Sequence, residues 1–82
     1  MNIFYSHRAA KEFAALPRHE QKRVAVKMRF YIRQSDPLAF AERLTDYREG
    51  QFRFRIGKYR VTFDVRDNTI FVLKVGRRDE IY

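Results

Sequence analysis

Arginines in one short alternating segment are the residues of this chain best suited to chemistry. "QFRFRIGKYR", residues 51–60, places Arg53 and Arg55 two positions apart, and Arg60 follows shortly after a glycine. Arginine presents a planar fork of N–H donors that binds phosphate through two hydrogen bonds and stacks on bases. It is effectively never deprotonated, so it cannot act as a simple general base. The segment therefore indicates a phosphate-binding site that needs its proton-transfer group from elsewhere in the chain.

A tight turn within this segment predicts how the arginines are arranged. Gly57 and Lys58 are expected to be the central residues of a type II′ turn, because glycine is preferred at its first position. Arg55 then lies directly opposite Arg60, with the arginines on one face of the hairpin and the apolar side chains on the other. Directly opposed like charges destabilise a sheet, by up to about 1 kcal/mol. An anion between them would remove that cost, which favours a binding site, although a solvated face is the simpler alternative.

The end of the chain, "VLKVGRRDEIY", adds further candidates for nucleic-acid binding. It contains Lys74, Arg77 and Arg78, and it ends with Tyr82. Arginines and an aromatic ring near one sheet face are what RNA phosphates and unstacked bases require.

The position of Lys74 depends on the loop at residues 67–68. A two-residue turn would point Lys74 toward the helices, whereas a three-residue loop would send Phe71, Leu73 and Val75 to the core and Lys74 to the arginine-bearing face. We favour the three-residue loop, because a lysine near a strand end is more easily accommodated on a cationic face. Periodicity alone leaves both alternatives open.

Two helices are predicted before the main strands. Ser6 is expected to cap a helix that begins at His7 and ends near Leu16, because Pro17 cannot continue it. Pro17 then suits the first turn of a second helix, which we expect to end near Gln34. The other predicted elements are a strand over residues 2–6, a short helical turn through residue 44, and strands near 51–56, 59–66 and 69–76.

These elements predict a single α+β domain over residues 1–82. The second helix carries an apolar stripe of Val24, Met28, Tyr31 and Ile32, which can cover the apolar face of the hairpin. We therefore expect two N-terminal helices packed on one face of an antiparallel sheet, in the order β-α-α-β-β-β. The arginine-bearing face is left open.

Composition narrows the class of partner. The 82-residue chain has a net charge of +8, divided equally between its two halves, so the folded body itself is cationic. Such a body suits nucleic acid, an acidic protein or an anionic membrane surface, and 13 arginines among 18 cationic residues favour phosphate.

The chain has no cysteine, which excludes disulfides and thiolate metal sites. It has neither a signal-peptide pattern nor a long apolar run, so we expect a cytoplasmic protein that does not associate with membranes.

The two arginine-containing segments also carry a resemblance to a known family. "GQFRFRIGKYRVTFDV" and "VLKVGRRDEIY" resemble the corresponding stretches of the RelE/ParE superfamily of type II toxin–antitoxin toxins, particularly its RelE-like branch. The resemblance implies a ribosome-dependent endoribonuclease, an mRNA interferase that cuts mRNA by 2′-OH attack without a metal or other cofactor. It also implies a cognate antitoxin that silences the toxin by wrapping an acidic amphipathic segment around it.

The same resemblance assigns roles to individual residues. Arg60 matches the family's central phosphate-binding arginine and Arg78 the arginine after its glycine, while Tyr82 matches a tyrosine that packs on the substrate base. Arg53 and Arg55 occupy positions where members carry lysine or arginine. Substrate binding is assigned to Arg53 and Arg55, to Lys74, and to Arg77, which stands where many members have histidine.

The general base is a separate question, because arginines replace the family's histidine and lysines. Glu42 lies eight residues before Gly50, a spacing similar to that of the acidic base in YoeB-like members. A solvated glutamate on a short helix is the alternative, and Tyr82 could share the proton transfers if the surrounding arginines lower its pKa.

Two other functions remain open at this point. A ParE-like inhibitor of DNA gyrase would share the fold without the ribonuclease site, although retention of Arg60, Arg78 and Tyr82 argues against it. A catalytically weak or inactive member that binds RNA or antitoxin is the second, suggested by the absent histidine and lysines.

Overall fold

The computed structural model describes residues 1–46 and 48–77. Within these ranges the chain forms five strands, two α-helices and one 3₁₀ turn. In chain order they are β1 (Asn2–Tyr5), α1 (His7–Ala14), α2 (Arg18–Ile32), the 3₁₀ turn (Pro37–Phe40), β2 (Glu42–Arg43), β3 (Phe52–Ile56), β4 (Tyr59–Arg66) and β5 (Thr69–Arg77).

The strands form one sheet in the order β1-β5-β4-β3-β2, with both helices on one face. The predicted α+β fold class is confirmed, with two differences of detail. β1 runs parallel to β5, so the sheet is mixed. The helical turn expected through residue 44 ends at Phe40, and Glu42–Arg43 pair with β3 as an additional edge strand. Among the described residues no helix is long and apolar enough to cross a membrane.

The register predicted for the β3–β4 hairpin is confirmed. Arg55 is the Cα partner of Arg60, and Phe54 is the partner of Val61. Gly57 has a φ of +59°, the left-handed conformation that the first central position of a type II′ turn requires. The turn therefore sets which side chains of the hairpin share a face.

The core lies between the helices and the apolar face of this hairpin. Val24 and Met28 of α2 are buried there, as the predicted stripe requires. The ring of Tyr31 stacks on that of Phe54 at a centroid distance of 4.3 Å, and Phe54 contacts Phe63 at 4.6 Å. A column of aromatic rings thus joins α2 to β3 and β4.

The three-residue loop favoured for the β4–β5 connection is wrong. Asp67 and Asn68 have positive φ angles of 51° and 59° and form a two-residue turn, in which Val65 pairs with Ile70. Asp and Asn tolerate the left-handed conformation, and such turns match the twist of paired strands. As a result Ile70 and Val72, rather than Phe71 and Leu73, enter the core.

A β-bulge nevertheless places Lys74 on the predicted face. Phe63 pairs with Val72 but Thr62 pairs with Lys74, which leaves Leu73 as an extra residue in β5. One extra residue reverses the alternation of the side chains beyond it. Lys74 therefore lies beside Thr62 on the face away from the helices, and Val75 returns to the core.

Helix α1 is tied to the part of the β5 edge that the short β1 does not reach. The backbone N–H of Ser6 donates to the carbonyl of Val72 (2.9 Å), and Ser6 Oγ accepts the Ala9 N–H (3.0 Å) as the predicted cap. Further along, the Val75 N–H donates to Oε1 of Glu12 (2.8 Å). These bonds satisfy edge groups of β5 and hold α1 against the sheet.

Replacement of Gly50 tests the packing of the loop that precedes β3. Gly50 has a φ of +143°, and a Cβ there would lie 2.7 Å from Cγ2 of Thr62. We expect Gly50→Ala to lower the free energy of unfolding by about 2 kcal/mol or more, through strain and overpacking together. Urea denaturation measures the loss.

Gly57→Ala is the matched control for this substitution. Its Cβ would meet only the end of the flexible Arg23 side chain, at 3.0 Å, so the cost should be the left-handed backbone alone, about 1–2 kcal/mol. Equal losses for the two variants would contradict the close packing of Gly50 over the sheet.

Candidate functional site

The sheet face opposite the helices carries Arg53, Arg55, Arg60 and Lys74, which together we call the arginine face. β3 contributes the first two, β4 contributes Arg60, and β5 contributes Lys74 through its bulge. Alternation along each strand separates these cations from the apolar side chains that pack under the helices. The sheet therefore gathers onto one surface three arginines of one hairpin and a lysine from the next strand.

Arg60 occupies the centre of this face. Its strand lies between β3 and β5, where its Cα partners are Arg55 and Gly76. The residue is only 5% exposed. Charges screened less by water act more strongly on a nearby anion, so a buried guanidinium is well placed to attract phosphate.

Glu42 joins the arginine face from the edge strand β2. Its Oε2 lies 3.3 Å from Nη2 of Arg53, and its Oε1 lies 2.6 Å from Nε of Arg55. The Arg53 side chain is 16% exposed, while those of Glu42 and Arg55 are nearly half exposed. One carboxylate thus binds two guanidinium groups, and it supplies negative charge next to the opposed Arg55 and Arg60.

The charge state of Glu42 follows from these contacts. Partial burial acts to raise the pKa of its carboxyl, but the hydrogen bonds and positive charges of Arg53 and Arg55 outweigh that effect and hold the pKa below its ordinary value. Glu42 is therefore ionised at neutral pH and is a weak base while both arginines hold it.

Arg77 is placed differently from the other predicted site residues. It pairs with Tyr59, whose side chain is buried on the helix side of the sheet. It lines a cleft of about 610 Å³ at the β5 edge, together with Arg8, Glu12 and Lys74 among others. The structure therefore brings Arg53, Arg55, Arg60, Lys74 and Glu42 onto one face, and sets Arg77 at its border.

Two predicted residues, Arg78 and Tyr82, lie outside the described residues. Their roles stay predictions from the resemblance. Within residues 1–46 and 48–77, no group of three histidine, aspartate or glutamate side chains is arranged to hold a metal ion.

Sequence reasoning missed two features of this surface. One is the contact between Glu42 and the arginines, because a two-residue edge strand has too few positions to show a strand periodicity. The other is a pair of phenylalanines, Phe4 and Phe71, whose rings lie 5.8 Å apart on the same side of the sheet. The parallel pairing of β1 with β5, which brings these rings together, has no local sequence signal.

Comparison with known proteins agrees with the fold and the motifs. A family model described as the ParE toxin of the type II toxin–antitoxin system parDE matches residues 3–82. The RelBE2 toxin–antitoxin complex from Mycobacterium tuberculosis is similar with a TM-score of 0.76 and 24% identity, over 94% of this chain and 96% of that one. The RelB–RelE antitoxin–toxin complex from Methanococcus jannaschii gives 0.75 and 21%, over 96% and 94%. No curated protein matches the chain.

These findings define a toxin of the RelE/ParE superfamily, as the sequence motifs predict. The chain belongs to the ParE toxin family of type II toxin–antitoxin systems. At 24% and 21% identity the two RelE-containing complexes establish the fold rather than the activity.

The pH dependence of stability tests the contact between Glu42 and its two arginines. Because the pKa of Glu42 is lowered in the folded chain, its contribution should be complete above the ordinary value of 4.5 and should be lost as the pH falls through the lowered value. The wild type should therefore be more stable than Glu42→Gln at pH 6, and the difference should shrink below about pH 4.5. Urea denaturation from pH 3 to 7 measures it.

Glu49→Gln provides the control, because Glu49 is exposed in the loop before β3 and forms no ion pair within the described part of the chain. Its curve should follow that of the wild type. A difference between wild type and Glu42→Gln that stays constant across this pH range would contradict the ion pairs.

Proposed function

We propose that this toxin is a ribosome-dependent mRNA endonuclease that cleaves by attack of a ribose 2′-OH on the adjacent phosphate. The observation that carries the proposal is the juxtaposition of Arg53, Arg55 and Arg60 with the ionised Glu42 on the face of the sheet opposite the helices. A site of this composition can bind a phosphodiester and supply a carboxylate close to it.

The reaction makes specific demands on these groups. The 2′-oxygen forms a bond to phosphorus, its proton passes to a base, and the bond to the 5′-oxygen breaks as that oxygen gains a proton, which leaves a 2′,3′-cyclic phosphate. Cations are required where negative charge develops on the phosphorane oxygens. We assign Arg60 and Arg55 to stabilise this negative charge. The resemblance adds Arg78 to them, and it adds Tyr82 as the residue that packs on a nucleobase of the substrate.

Glu42 is the proposed base, and substrate binding is what activates it. An entering phosphate competes with the carboxylate for Arg53 and Arg55. Once these guanidinium groups turn to the phosphate, Glu42 loses the hydrogen bonds that lower its pKa, and its basicity rises. The resting ion pairs thus hold the site in a weakly basic state until RNA displaces them.

The ribosome has a definite part in this scheme. Phosphate binding must offset the loss of two ion pairs, and the attacking oxygen must be aligned with the leaving oxygen. A ribosome that fixes the mRNA supplies both binding energy and orientation. In well-aligned reactions, orientation can lower the activation barrier by up to about 7–11 kcal/mol.

A cognate antitoxin is the second proposed partner. Both structural relatives are complexes of a toxin with an antitoxin. On α2, Val26 and Phe30 are about half exposed beside Lys22, Arg29 and Arg33, and the net charge of the chain is +8. An acidic amphipathic segment, as the resemblance implies, would complement such a surface in both charge and apolarity.

Inhibition of DNA gyrase is the alternative function, favoured by the match to the ParE family model. It would require none of the arginine face for chemistry. A supercoiling assay with purified gyrase separates the two: inhibition that survives in variants of the arginine face, without mRNA cleavage, would replace the ribonuclease proposal.

Substitutions on the arginine face test the ribonuclease directly. We expect Arg55→Ala and Arg60→Lys to reduce A-site cleavage of ribosome-bound mRNA by about 100-fold or more, because each removes a guanidinium from the developing charge. Primer extension on stalled ribosomes measures the cuts. Arg60→Lys is preferred to alanine because Arg60 is buried, and circular dichroism checks that each variant folds.

Arg33→Ala is the matched control for these variants, since Arg33 is exposed at the C-terminal end of α2 on the opposite side of the sheet. Its cleavage should equal that of the wild type. Intact mRNA with the wild-type toxin, or equal losses in Arg33→Ala and Arg55→Ala, would refute the proposal.

Glu42→Gln should change cleavage and binding in opposite directions. Loss of the base should lower the cleavage rate by about 100-fold, whereas loss of a negative charge beside Arg53 and Arg55 should tighten binding of an uncleavable 2′-deoxy mRNA analogue several-fold. Single-turnover cleavage and equilibrium binding on ribosomes measure the two effects. Unchanged cleavage in Glu42→Gln, with a loss in Tyr82→Phe, would transfer the base to Tyr82.

A further inference from the structure

A pair of aromatic rings lies on the same side of the sheet as the arginine face, where β1 pairs with β5. Phe4 of β1 is the Cα partner of Phe71 of β5, and the two rings are tilted by 57° at a centroid distance of 5.8 Å. Phe4 is 59% exposed, more than any other large apolar residue among those described. Nothing in the packing of the core requires an aromatic ring at this position.

Polar and cationic groups surround the two rings. The guanidinium of Arg66 lies 5.7 Å from the centre of the Phe71 ring, and the next rung of the sheet carries Asn2 and Thr69. The acidic Asp64, the Cα partner of Phe71, uses Oδ1 to accept the backbone N–H of Gln51 (2.9 Å). The patch therefore combines an exposed ring with a cation, neutral hydrogen-bonding groups and a carboxylate that is already hydrogen-bonded to the backbone.

We propose that Phe4 and Phe71 form a stacking site for an unpaired nucleic-acid base. Single-stranded nucleic acid is bound by aromatic rings that stack on bases beside cations that contact the backbone, and such stacking tolerates any base. Arg66 is positioned to contact the phosphate next to the stacked base. The proposal rests on the proposed function for the RNA itself, and it adds a second subsite away from the cleaved bond.

The sheet geometry connects this site to the arginine face. Phe71 and Lys74 are three positions apart on β5, which corresponds to about 10 Å at the usual rise of a strand. On β4 the six positions from Arg60 to Arg66 correspond to about 20 Å. A short single strand can therefore place a phosphate near Arg60 or Lys74 while a base a few nucleotides away rests on Phe4.

Charge favours a base over an apolar protein side chain as the occupant. The guanidinium of Arg66 lies over the Phe71 ring, Asp64 beside it already accepts a backbone N–H, and this end of the face continues into the arginine face. A protein side chain that covered only the aromatic rings would exclude water from the nearby cations without supplying a negative charge to compensate them. A nucleic-acid strand supplies the ring and the negative charge together.

The test uses two single-stranded hexamers built on 2′-deoxyribose, so that 2′-OH attack cannot cleave them. One is hexadeoxyadenylate, and the other is the same backbone with abasic sites at every position. Binding to the full-length purified toxin is followed by fluorescence anisotropy. We expect Phe4→Leu to weaken hexadeoxyadenylate binding about 5-fold or more, while the abasic strand should bind wild type and variant equally.

Phe30→Leu is the matched control, because Phe30 is an exposed ring on the outer side of α2. It should leave binding of both strands unchanged. Arg66→Gln should weaken both strands and reduce the slope of log affinity against log salt by about one. Leucine retains apolar surface at position 4, and thermal denaturation confirms that each variant folds.

The binding measurements can also contradict the stacking site. Equal affinity of wild type and Phe4→Leu for hexadeoxyadenylate, or an equal loss in Phe30→Leu, would overturn the stacking site. A Phe4→Leu variant that loses antitoxin but keeps the hexamer would instead make the patch a protein interface. Because these strands cannot be cleaved, the result is independent of catalysis, and a toxin that proves to lack ribonuclease activity could still show the Phe4-dependent binding.

Discussion

The register of the β3–β4 hairpin is the constraint on which both the core and the candidate site depend. A two-residue turn at Gly57 and Lys58 makes Arg55 the partner of Arg60 and puts Phe54 and Phe63 on the opposite face. A slip of one residue would exchange these faces, burying guanidinium groups and exposing phenyl rings. Desolvation of the guanidinium groups and exposure of the phenyl rings would each cost several kcal/mol, on the order of 2 or more. The aromatic core therefore fixes the face on which the arginines lie.

Glu42 resolves the electrostatic problem that this register creates. Two arginines directly opposed in a sheet repel each other, and the neighbouring Arg53 adds to the positive potential. The carboxylate from β2 contacts Arg53 and Arg55 at once, so this very short edge strand adds charge compensation to its backbone pairing with β3. The same contact gives Glu42 a lowered pKa, which links the stability of the resting site to the state of its proposed base.

The features that could be predicted from the sequence are those with a local physical cause. Alternation and the glycine turn determine the hairpin, Ser6 caps α1, and the 3.6-residue period of α2 identifies Val24 and Met28 as core residues. The bulge at Leu73 could not be predicted, because it depends on matching Val72 and Val75 to the same core at once. Because of this bulge, Lys74 lies on the predicted face of the sheet even though the predicted loop length was wrong. The long-range pairing of β1 with β5, and hence the Phe4–Phe71 contact, is likewise set by tertiary packing alone.

Arginines in place of the usual proton carriers separate two tasks that many ribonuclease sites combine. A histidine or lysine can both bind phosphate and transfer a proton, whereas Arg53, Arg55 and Arg60 can only bind and stabilise charge. In the proposed mechanism proton transfer is left to Glu42, which the same arginines hold in a weakly basic form until a phosphate replaces it. Binding and activation then become one event, since the cations released from the carboxylate are those that the substrate needs. Such a site is quiet without RNA and depends on whatever positions the strand, which is the physical reason to expect activity on the ribosome rather than on free RNA.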